Sequence, residues 1–307
     1  MGRFIAVRLL QTIVALIGIS LLVFVLVRAS GDPTLLMRSS VSTEEDIANI
    51  KKQLGLDKSQ PEQYWIFIKS LGHADLGTSL LKRRPVIEMV GETLPNSLKL
   101  GLSSFVVSMV LALVLGVLAA TRRDGWLDSG VKFLAVLGQA MPGFWVAIMA
   151  IFIFSVHWRL LPPSGADSIA NLVLPVCTMS FFLLPGMMRL IRSSMLDVLD
   201  SEYIKLARIK GLPERVVIWK HALRNALITP LTTAGMLFAT LITGEVIIET
   251  VFSWPGVGRL SVEAMMARDF PVVQGVTLLV AALVLLVNLL VDILYAYVDP
   301  QIRYQQM

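Results

Sequence analysis

Charged side chains are scarce in this chain, since they make up 16% of its 307 residues where soluble proteins carry about 25%. Hydrophobic residues make up 55%, and the mean hydropathy is +0.73. A chain so poor in charge is not an ordinary soluble protein. The composition therefore predicts an integral membrane protein.

Cysteine is almost absent as well, because Cys177 is the only one in the sequence. A single cysteine excludes an internal disulfide, and there is no Cys-x-x-Cys pair for zinc or redox chemistry. Cys177 falls in an apolar run, where we expect a small buried side chain. His73, His157 and His221 are scattered without the spacing of metal ligands, so we predict no metal site.

The sequence also lacks the motifs of ATP-dependent or catalytic chemistry. A phosphate-binding loop requires Gly-x-x-x-x-Gly-Lys followed by Ser or Thr, and the nearest approach, 72–78, has no lysine. HExxH, GxSxG and EF-hand patterns do not occur. We therefore predict that the chain is not an enzyme and that energy for any uphill transport comes from other subunits.

Long uncharged apolar runs are what the sequence has instead. A helix needs about 20 apolar residues to cross the hydrocarbon core of a bilayer. Backbone polar groups without hydrogen-bond partners are not tolerated there. We therefore predict an all-α membrane protein with six transmembrane helices. The runs cover residues 9–27, 100–120, 133–156, 172–188, 226–244 and 273–291.

Lysine and arginine concentrate in the segments before the first run, after the second, between the fourth and fifth, and after the last. With six crossings these segments lie on one side, and short basic loops are typically cytoplasmic. We therefore predict that both termini are cytoplasmic. The net charge of +5 is then a topology signal, so no nucleic-acid partner is expected. The first run is longer than the core of a cleaved signal peptide, so we expect it to be retained.

These runs divide the chain into three parts. Residues 1–27 form an N-terminal tail with the first transmembrane helix, and residues 28–95 form an external segment. Residues 96–307 form a core of five transmembrane helices that includes a cytoplasmic loop, 189–225. In the external segment we predict one helix over 43–54, where acidic residues favour a helix N-terminus, and another over 61–71.

The polar segment between the fourth and fifth runs is the most informative part of the sequence. Gly211 fits the position just after a helix, where the backbone is left-handed, and Pro213 fits the first turn of the next helix. A helix–turn–helix of this kind is suited to bind a soluble motor protein. The alternative is an amphipathic loop that lies on the lipid surface. The apolar residues of the second helix recur at helical spacing and predict one buried face: Leu212, Val216, Trp219 and Leu223.

This segment resembles the coupling loop of permease subunits of binding-protein-dependent ABC transporters, in the dipeptide, oligopeptide and nickel branch. Ala-Arg-Ile-Lys-Gly at 207–211 and His-Ala-Leu-Arg-Asn-Ala at 221–226 carry the resemblance. The loop departs from the family in one place, since its Glu-Ala-Ala triplet corresponds here to residues 205–207, of which only Ala207 matches. Further family-like segments in the same order cover the whole chain: 31–33, 53–57, 75–79, 93–95, 249–259, 268–272 and 292–296.

The resemblance implies a type I ABC importer permease fold in the cytoplasmic (inner) membrane of a bacterium or archaeon, with a small helical periplasmic segment after the first helix. It implies a second homologous permease subunit, two cytoplasmic ATPase subunits that bind ATP and Mg²⁺, an external substrate-binding protein and no cofactor in this chain. Peptides are the commonest cargo that it implies, with nickel chelates, glutathione or oligosaccharides as alternatives. A chain with six spans could also be a secondary transporter or a channel, which is the other functional class that the sequence leaves open. The resemblance assigns ATPase coupling to Glu202, Ala207, Arg208, Lys210, Gly211, His221, Arg224 and Asn225.

Two acidic residues near the outer end of the fifth run are candidates for the substrate pathway. Glu245 and Glu249 lie one helical turn apart, and acids at membrane depth are functional candidates. The alternative is a pair that hydrogen-bonds to the loop that follows. That loop is our candidate for the binding-protein contact, or for a finger that dislodges substrate, and its residues are Trp254, Pro255, Gly256 and Gly258.

Asn288 and Asp292 share one face near the cytoplasmic end of the sixth run. We predict that they pair with Arg189 or Arg192 of the cytoplasmic loop.

Overall fold

The computed structural model describes residues 2–29, 57–73, 75–241 and 246–298. These residues form helices joined by short connections, and the only β-type pairing among them is the isolated bridge between Thr78 and Pro85. The α-helices are α1 (Gly2–Ala29), α2 (Gln60–Leu71), α3 (Val86–Thr121), α4 (Trp126–Ala140), α5 (Gly143–Ala150), α6 (Ile169–Leu199), α7 (Glu202–Ile209), α8 (Glu214–Val216), α9 (Leu223–Ala226), α10 (Ile228–Leu241), α11 (Val246–Val251), α12 (Val257–Met266) and α13 (Phe270–Val298). Two π-helical stretches, Ile151–His157 and Val217–Ala222, continue α5 and α8.

Four of these helices are long and apolar enough to cross a bilayer. They contain the stretches Ile5–Ala29, Val86–Thr121, Ile169–Leu199 and Phe270–Ile293. A fifth candidate is α4 together with α5 and its π-helical continuation, which are bent by 107° at the break between them. The described residues therefore form an all-helical chain with four or five candidate spans, and a count of six stays a prediction.

The predicted third span is interrupted at Met141 and Pro142. Pro142 caps the N-terminus of α5 with an extended backbone, and Met141, the residue before the proline, is extended too. A proline disfavours helical backbone in the residue before it, so the apolar run 133–156 is two helices and not one.

The helix predicted over 61–71 is confirmed as α2. The helix predicted over 43–54 lies outside the described residues.

The chain divides into two compact units: residues 1–96 with 255–307, and residues 97–254. In the first unit, α1 and α13 pack along each other in opposite directions. Val23 and Val27 contact Phe270 near one end of the pair, and Arg8 Nε lies 3.3 Å from Asp292 Oδ2 near the other.

This arrangement corrects the pairing predicted for Asp292. Asp292 lies beside Arg8 because α1 packs along α13, and Arg192 is paired with Asp128. Asn288 is exposed. The sequence pattern thus identified Asp292 as a paired residue but not its partner, and it was wrong about Asn288.

In the second unit, α4 and the second half of α6 form a core with the short helices of the loop 189–225. Three buried methionines of α6, Met187, Met188 and Met195, belong to this core. A second core packs Leu100 and Leu174 against residues of α11 and the turn that follows it. Cys177 was expected to be buried, but it is exposed on α6, on a face that neither core covers.

Candidate functional site

The turn between α7 and α8 has the hydrogen bonds of a Schellman motif. Lys210 caps α7, and the backbone N–H of Gly211 donates to the carbonyl oxygen of Arg208 at 2.9 Å. The N–H of Leu212 donates to the carbonyl oxygen of Ala207 at 3.3 Å. Gly211 has φ +77°, so the predicted left-handed backbone at this position is confirmed. Glycine is preferred here because a Cβ is strained in this region.

The helices around this turn are held by buried apolar side chains. Ile204 and Ala207 of α7 lie in the same core as Val217 and Ala222 of the π-helical stretch. The last two are both fully buried and lie five residues apart, the spacing of a π-helical hydrogen bond.

The predicted buried face of the second helix was wrong at Leu212 and Trp219, and the π-helical register accounts for Trp219, since Leu212 precedes α8. That prediction used α-helical spacing, but Leu212 is 37% exposed and Trp219 is 48% exposed. Of the four predicted residues, Leu223 is buried. In the wider π-helical turn Val217 lies inward and Trp219 lies outward.

Four large apolar side chains remain exposed on α7 and the π-helical stretch. Leu206 is 56% exposed, Ile209 is 80% exposed and Tyr203 is 41% exposed, and Trp219 adds to them from the π-helical stretch. We name Tyr203, Leu206, Ile209 and Trp219 the apolar patch. Clustered exposed apolar residues of this kind mark interaction surfaces.

Polar contacts surround the turn. Arg208 donates to the Glu214 carboxylate through Nη2 at 2.8 Å and Nε at 3.3 Å, across the turn from α7 to α8. The hydrogen bond from Arg208 lowers the pKa of Glu214. Asn225 Nδ2 donates to the Tyr203 hydroxyl at 2.8 Å, which ties α9 to the start of α7. Both contacts link α7 to the helices that follow it.

The other residues predicted to couple the chain to an ATPase occupy different environments. Glu202 is exposed and pairs with Lys205 in its own helix at 2.7 Å. His221 is half-buried and Arg224 is exposed. The structure therefore brings the predicted coupling residues together on one pair of helices, and their role stays a prediction.

A buried carboxylate that sequence reasoning missed ties α4 to α6. Asp128 is fully buried and accepts from Arg192 Nε at 2.5 Å and Nη2 at 2.8 Å. Lys132 Nζ lies 2.9 Å from the same carboxylate, and the Asp124 backbone N–H donates to it at 3.1 Å. Such a pair fixes the position of α6, the helix that leads into the apolar patch.

Of the two acids predicted in the substrate pathway, Glu249 lies in α11 and Glu245 lies outside the described residues. Glu249 is fully buried and accepts a hydrogen bond from Ser97 Oγ at 2.6 Å. Its backbone carbonyl accepts from the Trp254 N–H at 2.8 Å. A carboxylate with these partners holds the end of α11 in place, and contact with substrate stays a prediction.

The loop predicted to touch an external binding protein is largely buried. Trp254 is 1% exposed and packs in the core of the second unit. Gly256 and Gly258 are buried too, and Pro255 is half-buried, with its carbonyl accepting from Asn96 Nδ2 at 3.1 Å. The expected outward-facing loop is thus anchored through its tryptophan, and its contact with a partner stays a prediction.

Two family-like segments noted separately in the sequence meet in the first unit. Asp269 is 4% exposed and accepts from Ser79 Oγ at 2.5 Å and from the N–H groups of Leu80 and Leu81 at 3.1 and 3.3 Å. We name the loop 78–85 and Asp269 the Asp269 clasp. Asp269 and Ser79 are 190 residues apart in sequence, so spacing alone gave no signal for their contact.

No group of three or more potential metal-ligating side chains occurs in the part of the chain that the structure describes.

Comparison with known proteins places the chain among transport components. The family described as "Binding-protein-dependent transport system inner membrane component" matches residues 112–304. The corresponding N-terminal family, "Binding-prot-dependent transport system membrane comp, N-term", matches residues 1–101.

Full-length relatives carry names that refer to peptide transport. The dipeptide transport system permease protein DppB of Escherichia coli strain K12 is 38% identical, and the match covers 100% of both chains. The oligopeptide transport system permease protein AppB of Bacillus subtilis strain 168 is 37% identical over 99% of this chain and 100% of its own. A protein of Brucella abortus strain 2308, provisionally named a peptide transport system permease protein, is 40% identical over 97% of this chain and 98% of its own.

Proposed function

This chain belongs to the family of inner-membrane components of binding-protein-dependent transport systems, and on that premise we propose that it forms half of a peptide pathway driven by ATP. Membership makes the chain a multi-pass membrane permease of an ABC importer and not an enzyme, because ATP hydrolysis belongs to partner subunits. The family also implies a substrate-binding protein. Peptide cargo is supported by the names of the full-length relatives.

The observation that carries the mechanism is the anchored helix pair with its outward apolar patch. Ile204 and Ala207 bury one side of α7, while Leu206 and Ile209 face outward from the same two turns. A soluble ATPase with an apolar groove would bury these side chains, and the stiff turn at Gly211 would pass its movement to α6. The coupling role of Glu202, Arg208, Lys210, His221, Arg224 and Asn225 is part of this proposal.

We propose the following assembly around the chain. A second homologous permease supplies the other half of the pathway, two ATPase subunits bind ATP and Mg²⁺, and one binding protein delivers peptide from outside. Both termini are cytoplasmic, six helices cross the membrane, and residues 28–95 lie outside. This chain needs no cofactor of its own.

The proposed roles at the outer side are narrower. Glu245 and Glu249 contact the amino group of the passing peptide, the first from outside the described residues and the second after release from Ser97. The loop at Trp254, Pro255 and 256–258 meets the binding protein or displaces the peptide from it. Glu245→Gln should abolish uptake and leave ATP hydrolysis intact, and unchanged uptake would remove this residue from the pathway.

ATP hydrolysis by the native complex in lipid discs tests the function directly. The binding protein is added either loaded with peptide or empty. Stimulation by the loaded form alone is expected. A rate of ATP hydrolysis that does not respond to peptide would exclude peptide cargo. A complex without ATPase subunits would contradict the proposal as a whole.

A matched pair of variants tests the apolar patch. Ile209→Ser should reduce copurification of the ATPase subunits, because Ile209 is 80% exposed on the proposed docking surface. Leu81→Ser is the control, since Leu81 is 68% exposed on the loop 78–85, which we place outside. Equal copurification of the two variants would argue against docking at this patch.

A further inference from the structure

We propose that the first unit holds a phospholipid, with its phosphate at Arg28 and one acyl chain in an apolar groove between α1, α2 and α13. This site is independent of the cargo proposed above. It combines a polar pocket and a groove that meet at Leu76, which lines both.

The polar pocket has a volume of about 250 Å³ and contains donors without partners. Arg28 Nε and Gln274 Nε2 line it, and both atoms are buried without a hydrogen bond. The Arg28 guanidinium lies 5.2 Å from the centre of the Phe24 ring, which fixes its position without using its donors. A buried donor without an acceptor costs about 1–3 kcal/mol, so the pocket is suited to an anionic oxygen.

An acidic side chain also lines this pocket, and it has a partner. Asp75 Oδ1 accepts from the Gly77 N–H at 2.8 Å. A headgroup with a phosphate and an ammonium group suits a pocket with Arg28 on one wall and Asp75 on another. A bare anion would be attracted by Arg28 but repelled by Asp75.

The groove beside the pocket has a volume of about 360 Å³ and an almost wholly apolar lining. Gly275 allows a close approach here, because a Cβ on it would lie 3.1 Å from Leu76 Cβ and 2.7 Å from Val86 Cγ1. Along α1 the groove reaches Leu16, twelve residues before Arg28, which is about 18 Å of helix. An acyl chain that runs inward from a headgroup fits this length and chemistry. The lining includes Leu16, Ile17, Ile68, Leu71, Leu278 and Ala282.

The depth of the pocket in the membrane agrees with this occupant. Arg8 and Arg28 are separated by about 30 Å of helix, which equals the hydrocarbon thickness of a typical bilayer, about 30 Å. Arg8 pairs with Asp292 at the far end of the same helix pair, so Arg28 and Gln274 lie at the opposite headgroup layer. Trp65, 70% exposed on α2, supports this level because tryptophan is enriched at the membrane interface.

A long arginine at a helix end often reaches the headgroups without a specific site. That explanation requires the guanidinium to extend into the interface. Here Arg28 Nε is buried, and α2 packs beside it through the Ser20–Tyr64 hydrogen bond at 2.9 Å. The unpartnered Nε of Arg28 is therefore shielded from the interface, in a residue that lines the pocket.

Native mass spectrometry of the intact complex tests the proposal, after purification from membranes and exchange into detergent with added phosphatidylethanolamine. Wild type should retain lipid, and Arg28→Gln should retain it about tenfold more weakly, as expected for loss of a charge-assisted hydrogen bond. Arg123→Gln is the matched control, because Arg123 is 64% exposed and lies outside the site.

Ala282→Phe fills the groove without touching the pocket, and it guards against misfolding of the arginine variant. It should also lower lipid retention, while the assembly of subunits stays normal. Equal retention in wild type, Arg28→Gln and Ala282→Phe would overturn the proposal. Loss in Arg28→Gln alone would reduce the site to a phosphate contact and overturn the role of the groove.

Discussion

Replacing Asp128 with alanine would remove the carboxylate that ties α4 to α6. The Arg192 side chain is 18% exposed, so the substitution leaves a mostly buried guanidinium without its counter-ion. Removing one partner of a buried ion pair costs about 3–5 kcal/mol. Because Arg192 keeps some contact with solvent, we expect the lower end, about 3 kcal/mol, or roughly a hundredfold in the folding equilibrium.

Lys132 provides the control for this prediction. It contacts the same carboxylate at 2.9 Å, but its side chain is 53% exposed. Exposed ion pairs contribute about 0–1 kcal/mol, so Lys132→Met should have a small effect. Replacing both buried partners, as in Asp128→Leu with Arg192→Met, should recover most of the loss, because an apolar pair of similar volume often replaces a buried ion pair without cost.

Unfolding of the purified complex by titration with denaturing detergent, followed by tryptophan fluorescence, measures these effects. The amount of ATP hydrolysed per peptide transported should also rise in Asp128→Ala, because α6 leads into the helices that we propose couple transport to ATP hydrolysis. An unfolding midpoint equal to that of wild type would refute the reasoning. So would equal effects of Asp128→Ala and Lys132→Met.

Three further substitutions follow from the backbone and from the Asp269 clasp. Gly211→Val should fold, because no atom lies within 4 Å of the added Cβ. The complex that contains it should hydrolyse ATP without matching transport, because valine is strained at a φ of +77°. Normal transport by this variant would contradict the prediction. Asp269→Ala should speed hydrogen exchange at the N–H groups of Leu80 and Leu81, and unchanged exchange would remove the clasp. Arg268 also has a positive φ, 51°, so Arg268→Gly should stabilise the protein by about 1 kcal/mol, whereas alanine at this position should bring no gain.

Much of the fold follows from local features of the sequence. The membrane class was predictable because long apolar runs have only one stable environment. The ends of α2 and the conformation of Gly211 were predictable because helix termini depend on residues within a few positions of each other. The family was recognisable for a related reason, since its motifs are short segments that keep their order along the chain.

The register of the helix that follows Gly211 was not predictable in this way. The π-helical stretch Val217–Ala222 shifts the buried face by one residue, and α-helical spacing assumes that no such shift occurs. Val217 is buried because its side chain packs in the core of the second unit. The residues next to it in sequence do not indicate that this core is there.

The sequence by itself determined the class of the protein and the left-handed turn at Gly211, because these depend on composition and on hydrogen bonds between near neighbours. Tertiary structure alone decided the contacts of the charged residues. Asp128 meets Arg192 across 64 positions and Asp269 meets Ser79 across 190. A buried charge requires a partner, but the packing of the helices determines which residue that partner is.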